Sequence, residues 1–493
     1  MLRSQLEIKF SSHSELYDLL VAKDNKLRQA REAIDFSFVY DELKDKYCMD
    51  NGREAVNPIT MFKYLFLKAH SGLSDIDLVE RVRTDLSYKY FLDMSPEELP
   101  IDSSLLSFFR RKRLKDACLL DALIRETVSV ALERGLINRR SDIIVDATHT
   151  VSKYTPYNPK DLLKRRSKAF RKALYRYDGS LAGKVEKDHD VKEVADEIAY
   201  CKALVLEYGR MMEGGCVNKD LSEAFNSLKE SIEDIEERYT TSPSDRDAKA
   251  GSKGRGNDFF GYKTHLAETP EGIVTAAVVT SGEQGDGPHA AELVDKTVGN
   301  GLEVDALIGD AAYSGKAMLE KGAGEGFKVV AKLHPAILSG YRKAEPGMEF
   351  GFNKDADMPI CPAGHTAVRK REIHYAKGKA KGNSCMQYGF DAGKCGLCLL
   401  RGRCLKGGAK GRTVSIPIHT AEQEAQKEYQ QTEEFKEKYR ERYKVEQKNA
   451  HLKQHGMGRT ESFGMGAMTI QAAMAIFYQN VRTIVRIQGK NEQ

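Results

Sequence analysis

The chain has 493 residues, with 77 Lys and Arg against 72 Asp and Glu and a formal net charge of +5. Its length predicts roughly two to four domains. No apolar run is long enough to cross a membrane, and the N-terminal stretch lacks the continuous apolar core of a secretory signal. We therefore expect a cytoplasmic protein whose nine cysteines are thiols or metal ligands and not disulfides.

Residues 1–135 have the pattern of short helices separated by tight turns. Ser74 and Asp75 are candidates to cap one of these helices, and Asp102 or Ser103 is placed to cap another. Short helices that end in a basic one are typical of a helix-turn-helix-like DNA-binding domain. An ordinary helical bundle has the same pattern, so both interpretations stay open.

Basic residues cluster at two places in the sequence. Residues 160–176 contain eight Lys or Arg and one Asp, and residues 108–115 contain five Lys or Arg and no acid, with Arg110, Arg111 and Arg113 among them. Such clusters fit a polyanionic partner. Each cluster by itself is equally well explained as the solvated face of a helix.

A short β-branched run at 142–150 predicts a buried strand that ends in Asp146. Residues 155–240 instead have charged helical patterns, with two arms in heptad spacing around a Gly-containing turn. The arms predict an antiparallel helical hairpin or half of a dimer interface.

Further strand-like segments lie after the helical region. They span 260–268, 272–282, 302–313 and 327–333, with helical patterns before and after the third. This order predicts an α/β fold with a mixed sheet. Asp310 ends the hydrophobic part of the third of these segments, as Asp146 ends the first strand of the chain.

The segment 439–453 has the pattern of a helix in which four residues that are not aliphatic recur at helical spacing. Tyr439, Arg442, Glu446 and Lys453 fall within an arc of roughly 60°. Arg442 and Glu446 at this spacing also fit a common surface ion pair. Carboxylates are the ligands that Mg²⁺ and Mn²⁺ prefer, and two such ions support phosphoryl transfer. A strand-end aspartate is nevertheless more often a cap or turn residue.

The spacing Tyr439-x2-Arg442-x3-Glu446-x6-Lys453 resembles the glutamate signature of DDE transposases from bacterial insertion sequences. The sequences around Asp146 ("VDATHT") and Asp310 ("IGDAAYSG") resemble the two aspartate strands of that family. "GYK" at 261–263 and Asp286 also match, and residues 53–115 resemble the domain that precedes the catalytic domain. One departure is "DSSLLSFFRRK", where relatives often have a histidine after the aspartate.

The resemblance implies an RNase H-like sheet flanked by helices, in which Asp146, Asp310 and Glu446 hold Mg²⁺ or Mn²⁺. It implies cleavage at the ends of the element and strand transfer of the freed 3′-OH to target DNA. Double-stranded DNA is the implied partner, with a homodimer acting on two ends and a nucleoid-associated location. The implied DNA contacts are Arg442, Lys453, Tyr439, Lys263, Arg110, Arg111 and Arg113.

The implied domains are a helical DNA-binding domain, a discontinuous catalytic domain, a helical coiled-coil-like insertion with its loop, and a Cys-rich insertion. In that order they span 1–135; 136–154 with 255–340 and 425–493; 155–254; and 341–424. His149, three residues after Asp146, is a candidate for a role near the metals or for a structural histidine.

The Cys-rich segment has ligand spacing for a structural zinc site. Cys395 and Cys398 form one CxxC pair, Cys404 follows six positions later, and Cys361 can supply the fourth thiolate. His365 or Cys385 are possible substitutes, and the alternative is a set of reduced thiols without metal.

Two other functions fit parts of the pattern. A domesticated, non-catalytic DNA-binding protein would retain the fold, but the presence of all three carboxylates argues against it. An RNase H-like nuclease would share the carboxylates, but the N-terminal helical domain and the strand-transfer signature disfavour it.

Overall fold

The computed structural model divides the chain into two compact units, Met1–Val304 with Tyr443–Gln493, and Asp305–Arg442. The residues described are 14–47, 55–114, 119–154, 156, 158–185, 193–213, 218–236, 242, 244–252, 258–334, 349–353, 355–374, 384–405 and 408–491.

The N-terminal part of the first unit is helical, as the sequence predicts. Asn57, Ser74 and Asp102 accept backbone amide hydrogens at three helix starts, so Ser74 and Asp102 are the caps and not Asp75 and Ser103. The helices are α1 (Ser14–Leu20), α2 (Lys26–Ala33), α3 (Phe38–Leu43), α4 (Pro58–Ser71), α5 (Asp75–Thr84), α6 (Leu86–Phe91), α7 (Ser103–Lys112) and α8 (Leu119–Glu133).

An aromatic cluster joins these helices to the C-terminal helix Met465–Asn491. Phe36, Phe62, Phe66 and Phe91 are buried, and the Phe477 ring lies 5.6 Å from that of Phe62 and 5.9 Å from that of Phe66. Buried aromatic side chains contribute large apolar areas and favourable edge contacts. The N-terminal helices therefore share one hydrophobic core with the end of the chain.

An antiparallel sheet forms the centre of the first unit. Its strands are β1 (Arg140–Val151), β2 (Lys249–Ser252), β3 (Asp258–Glu268) and β4 (Val274–Ser281), and β3 pairs with each of the other three. Asp146 lies opposite Leu266. The prediction that Asp146 ends its strand is wrong, because the β-branched residues after it continue β1 for five more positions.

The predicted helical insertion contains three packed helices, α9 (Pro159–Tyr177), α10 (Val194–Glu213) and α11 (Lys219–Glu236). The predicted hairpin corresponds to α10 and α11, and α9 completes their core. Cys201 is fully buried in that core. Helix α12 (Ala290–Gly299) and the start of β5 (Glu303–Ile308) complete this part of the chain.

The elements of the second unit after β5 are α13 (Lys316–Glu325), β6 (Lys328–Val330), β7 (Gly351–Asn353), β8 (Met358–Ile360), β9 (Arg369–His374), β10 (Ser384–Gly389), α14 (Ala392–Leu397), α15 (Arg401–Cys404), β11 (Thr413–Ile418), α16 (Ala421–Tyr429) and α17 (Glu433–Arg440). Strand β6 pairs in parallel with β5, as expected for two strands joined through a helix. A second sheet has β10 between β9 and β11, and β7 pairs with β8.

The predicted continuous helix over 439–453 is interrupted. Helix α17 ends at Arg440, a turn follows, and α18 spans Tyr443–Leu452 before a π-turn at Lys453–Met457. The predicted four-residue stripe therefore does not lie on one helix. The chain closes with α19 (Met465–Asn491).

The mixed α/β class predicted from the sequence is confirmed, and the RNase H-like relation stays a prediction. In the described part of the chain, none of the helices combines the length and the apolarity needed to span a bilayer.

Candidate functional site

Asp146 meets helix α18 across the face of the first unit's sheet. The side-chain amide of Asn449 donates a hydrogen bond to Asp146, with Nδ2 and Oδ2 2.8 Å apart. Asn449 is buried, at 8% exposure. This contact fixes α18 against the middle of β1, although the two residues are 303 positions apart in the sequence.

Glu446 lies on α18 three residues before Asn449 and is exposed. Residues three apart are neighbours on one side of a helix. Glu446 therefore lies within one turn of the residue of α18 that contacts Asp146. The structure thus brings the elements carrying two of the three predicted carboxylates together.

Asp310 belongs to the second unit and lies two residues after β5 ends at Ile308, so the strand predicted over 302–313 is shorter than expected. Its side chain accepts a hydrogen bond from the Ala312 amide at 2.8 Å and so caps a short 3₁₀ turn. The common structural role of a strand-end aspartate is therefore present here. The carboxylate is half-buried.

No group of three His, Cys, Asp or Glu side chains among the described residues is arranged to hold a metal ion. The donor chemistry at Asp146 nevertheless fits a hard cation, because carboxylate oxygens are its preferred ligands. The Asn449 amide occupies one side of this carboxylate and orients it, as outer-sphere partners do for ligating carboxylates.

The π-turn after α18 contacts the end of β1. The hydroxyl of Thr150 donates to the Met457 carbonyl at 2.9 Å, and Lys453 Nζ lies 3.3 Å from His149 Nε2. The His149 ring is 4.8 Å from the Phe259 ring. Lys453 thus contributes a cation close to the strand that carries Asp146.

Tyr439 and Arg442 contact each other in the second unit. The Tyr439 ring stacks on Phe435 at 5.5 Å, and the guanidinium of Arg442 lies 6.0 Å from the Tyr439 ring centroid. Lys332 approaches the same ring at 5.0 Å. These contacts are of the cation–π kind, so Tyr439 orients two basic side chains.

Lys263 is held by an acidic neighbour. Its Nζ lies 3.1 Å from the Asp286 carboxylate and donates to the Gln284 carbonyl at 2.8 Å. His265 lies 3.7 Å from Asp286, and its ring is 4.4 Å from that of His289. Burial, together with His289, lowers the pKa of His265 to about 4.

A large basic groove runs between the N-terminal helices and the segment after α18, with a volume of about 1530 Å³. Its described lining carries eight Lys or Arg against three acids. The basic residues are Lys68, Arg110, Arg111, Lys112, Lys153, Arg246, Lys453 and Arg459.

Two glycines leave the main chain accessible on one side of the groove. Gly456 has φ of +106° and no atom within 4 Å of the place that a Cβ would take. Gly464 also has positive φ, at +87°. Glycine tolerates this left-handed region and permits close approach of a ligand to the main chain. The sequence gives no local sign that residues 453–475 line the same groove as α7.

The three arginines predicted near the end of α7 have different surroundings. Arg110 pairs with Asp75, with Nη1 3.1 Å from Oδ1. Arg113 contacts the Lys46 carbonyl and lies over the Tyr47 ring at 4.3 Å. Arg111 is exposed and lines the groove together with Lys112. Arg111 is thus the most accessible of the three to a polyanion.

A buried ion pair holds α18 on the sheet of the first unit. Lys448 Nζ lies 3.9 Å from Glu268 Oε2 and donates to the Gly272 carbonyl at 2.6 Å. Burial raises the pKa of Glu268, although Lys448 opposes the shift. Neither Glu268 oxygen has a hydrogen-bond partner among the described residues.

The four predicted zinc ligands line one small cavity in the second unit. Cys361, Cys395, Cys398 and Cys404 surround about 30 Å³. The His365 amide donates to Cys361 Sγ at 3.3 Å. Burial raises the pKa of Cys404; Arg412 opposes this, and the three other thiols add to it.

The apolar core beside these thiols is small. Its buried members are Ala367, Tyr388, Phe390 and Val414, with Cys361 and Cys395 packed against them. Small modules with so little buried apolar surface usually need a metal or disulfides for stability. The thiols are the ligands that structural Zn²⁺ prefers and they line one cavity, but no three of these described side chains are placed to hold a single ion.

Two parts of the sequence match known families. Residues 14–112 match a family described as a transposase domain (DUF772), and residues 360–485 match one described as a transposase DDE domain. Glu446 and the four cysteines lie within the second match, whereas Asp146 and Asp310 lie outside both. A search of curated proteins finds no match to the chain.

Proposed function

We propose that this chain, which its two family matches identify as a DDE transposase of an insertion sequence, cleaves the ends of that element and joins them to target DNA. The reaction would be metal-dependent phosphoryl transfer. The observation that carries the proposal is the hydrogen bond from Asn449 to Asp146, because it places the helix that contains Glu446 over the strand that contains Asp146.

Asp146, Asp310 and Glu446 would hold Mg²⁺ or Mn²⁺. When bound, the ions would activate the attacking oxygen and stabilise the leaving oxygen at phosphorus. Asn449 would keep one oxygen of Asp146 engaged and so leave the other directed to the site. Asp310 would have to release the Ala312 amide or bind through its second oxygen.

The basic side chains of the first unit would position the DNA. Arg111, Lys112 and Arg459 line the groove and offer charge-assisted contacts to phosphates. Lys453 lies beside His149 near the end of β1. From there its ammonium group would contact a phosphate of the DNA strand that is cleaved. Lys263 would serve less directly, since Asp286 already neutralises it.

Tyr439 and Arg442 would act as a pair on the DNA. The Tyr439 ring, stacked on Phe435, limits where the Arg442 guanidinium can lie. A planar guanidinium that is held in this way is well suited to a phosphate. We further propose that two copies act together on the two ends of the element.

The four cysteines would hold a structural Zn²⁺ in the second unit. A closed tetrahedral thiolate site contributes directly to folding. In this role the zinc would stabilise the small sheet of β9, β10 and β11 and would take no part in cleavage.

The test is cleavage and joining of a duplex that carries the inverted repeats flanking the gene. We expect activity with Mg²⁺ or Mn²⁺, and loss of activity without loss of binding in Asp146→Asn, Asp310→Asn and Glu446→Gln. Asp142→Asn, on the same face of β1, is the matched control. Binding without cleavage by the unaltered protein would instead indicate a domesticated DNA-binding protein.

A nuclease without joining activity would show a different result. It would cut duplexes that lack the repeats at a similar rate, and no joined product would form with either metal ion. If the variant of Asp146, Asp310 or Glu446 cleaves at an unchanged rate, that residue is not part of the metal site.

A further inference from the structure

Helix α9 of the insertion carries a row of basic side chains on its outer face. Arg165, Lys168, Lys172 and Arg176 are all exposed. Their spacing of three, four and four residues places them on one stripe, about 16 Å long at 1.5 Å per residue. The function proposed above does not use this stripe.

The opposite face of α9 fixes the direction of the stripe. Leu163, Phe170 and Leu174 are buried in the core that α9 forms with α10 and α11. Rotation of α9 would expose these side chains to water, at a cost of roughly 1.5–3 kcal/mol for each large one. The basic face is therefore held outward by the packing of the insertion.

The charges of the stripe are poorly balanced within the insertion. Helix α9 contains eight Lys or Arg, and its one acid is Asp161. Among the described residues, Lys168, Lys172 and Arg176 have no ion-pair partner, whereas Arg165 is engaged. Like charges four residues apart destabilise a helix by tenths of a kcal/mol. An ordinary solvated face would mix both signs.

Helix α11 of the insertion has the opposite net charge, with two Lys against six Asp or Glu. Its exposed acids are Glu223, Glu230, Glu233 and Glu236, of which Glu223, Glu230 and Glu236 are paired with Lys219, Arg246 and Lys202. A polyanion would be attracted to α9 and not to α11. The insertion is thus electrically polarised, and such a field orients an approaching polyanion.

We infer that the outer face of α9 is a second DNA-binding surface, which holds the phosphate backbone of duplex DNA without reading its sequence. The inference rests on the proposed function only in taking DNA as the substrate. Duplex DNA carries one charge per roughly 1.7 Å of axis, so a stripe of this length can reach several phosphates. Lys and Arg side chains without planar base contacts give backbone binding and not base readout.

The test measures binding of the full-length protein to a fluorescent 30-base-pair duplex of arbitrary sequence at several salt concentrations. The variant is Lys168→Gln with Lys172→Gln and Arg176→Gln. The control is Arg210→Gln with Lys219→Gln and Lys229→Gln, which removes the same charge from exposed positions of α10 and α11. Circular dichroism and thermal unfolding confirm that both variants fold.

We expect the α9 variant to bind at least tenfold more weakly at low salt. Its plot of log affinity against log salt should be shallower by about 0.9 for each phosphate that the variant no longer neutralises. The control variant should stay within twofold of the unaltered protein. A duplex bearing the terminal repeats, tested in parallel, should lose less affinity, because the groove at α7 would still hold it.

Three results would overturn the inference. In the first, the α9 variant binds the duplex as tightly as the unaltered protein. In the second, the α9 variant and the control variant lose the same affinity for the duplex. In the third, the α9 variant binds DNA normally but no longer self-associates. The third result would assign the stripe to a second copy of the chain. Failure of metal-dependent cleavage by the unaltered protein would contradict the proposed function but would leave the binding comparison valid.

Discussion

Asn449 donates its side-chain amide to the carboxylate of Asp146, with Nδ2 and Oδ2 2.8 Å apart. The contact joins helix α18 to the middle of strand β1 in one hydrogen bond. Since Glu446 lies one turn before Asn449, the same contact fixes the position of the helix turn that carries Glu446 relative to β1. Asn449 is therefore a positioning residue for the proposed metal site.

Asn449→Ala should reduce cleavage by about 10- to 100-fold, the usual effect of removing a partner that orients a metal ligand. The reason is loss of orientation at Asp146, so the Mg²⁺ concentration for half-maximal activity should rise as well. Rates measured over a Mg²⁺ series check this.

Gln447→Ala is the control, because Gln447 lies on the same helix and is exposed. It should retain the activity and the metal requirement of the unaltered protein. If Asn449→Ala lowers the rate at all Mg²⁺ concentrations equally, the residue supports folding and not the metal site.

Local patterns predicted the elements that carry the site. A β-branched run predicted the strand of Asp146. Side-chain chemistry narrowed two helix caps to Ser74 or Asp75 and to Asp102 or Ser103, and Ser74 and Asp102 are the caps observed. The end of β1 was misplaced because a polar aspartate inside a buried strand looks the same as one at its end. Only pairing with β3 decides between the two.

Other features had no local signal. Glu441 and Arg442 are good helix formers, yet the helix breaks there without a glycine or proline. Asn449 looks like any polar helix residue until its partner, 303 positions away, is known. Long-range contacts of this kind depend on the whole fold, so the role of Asn449 could not be read from sequence spacing.

Loss of basic side chains from the groove at α7 should impair binding of the terminal-repeat duplex. Arg111→Ala with Lys112→Ala should weaken binding to the terminal-repeat duplex and reduce the salt slope by about 0.9 for each phosphate that is no longer neutralised. Both residues line the groove and are exposed. Arg134→Ala with Arg139→Ala removes the same charge outside the groove lining and should change neither quantity. Fluorescence anisotropy across a salt series measures both pairs.

Zinc content is predicted at about one ion per chain for protein purified without chelators. Cys404→Ser should lower that content and the thermal stability of the protein, because Cys404 lines the cavity with the three other thiols. Cys385→Ala should retain zinc, since Cys385 lies on β10 and does not line this cavity. Elemental analysis separates the outcomes, and protein that contains no zinc would refute the site.

Protonation of His70 should weaken the fold in mild acid. Burial, followed by His455, lowers the pKa of His70 to about 4, and its Nδ1 lies 3.0 Å from the Tyr478 hydroxyl. Between pH 6.5 and 4 the unfolded chain binds a proton that the folded chain does not. The stability contributed by neutral His70 is therefore complete above pH 6.5 and lost as the pH falls towards 4.

The full difference in the free energy of unfolding is about 3 kcal/mol, at roughly 1.36 kcal/mol for each pKa unit. His70→Gln cannot be protonated, so its loss of stability between pH 7 and 4.5 should be smaller than that of the unaltered protein. His374→Gln, at an exposed position, is the control and should leave the pH dependence unchanged. Denaturant unfolding at each pH provides the measurement, and parallel curves for all three proteins would contradict the prediction.

The buried pair of Glu268 and Lys448 should help to hold α18 on the sheet. Both side chains are almost fully buried, with Oε2 and Nζ 3.9 Å apart. Lys448→Met would leave Glu268 without its cation in an apolar environment and should cost about 3–5 kcal/mol. Burial already raises the pKa of Glu268, so in this variant the carboxyl should become protonated near neutral pH.

The double variant Glu268→Gln with Lys448→Met tests whether the two residues act as a pair. A neutral amide beside a methionine has no charge to desolvate, so the double variant should recover much of the stability that the single variant loses. Because Lys448 precedes Asn449 on α18, cleavage should recover along with stability in the double variant. Additive losses would show that Lys448 acts mainly through its bond to the Gly272 carbonyl and not through Glu268.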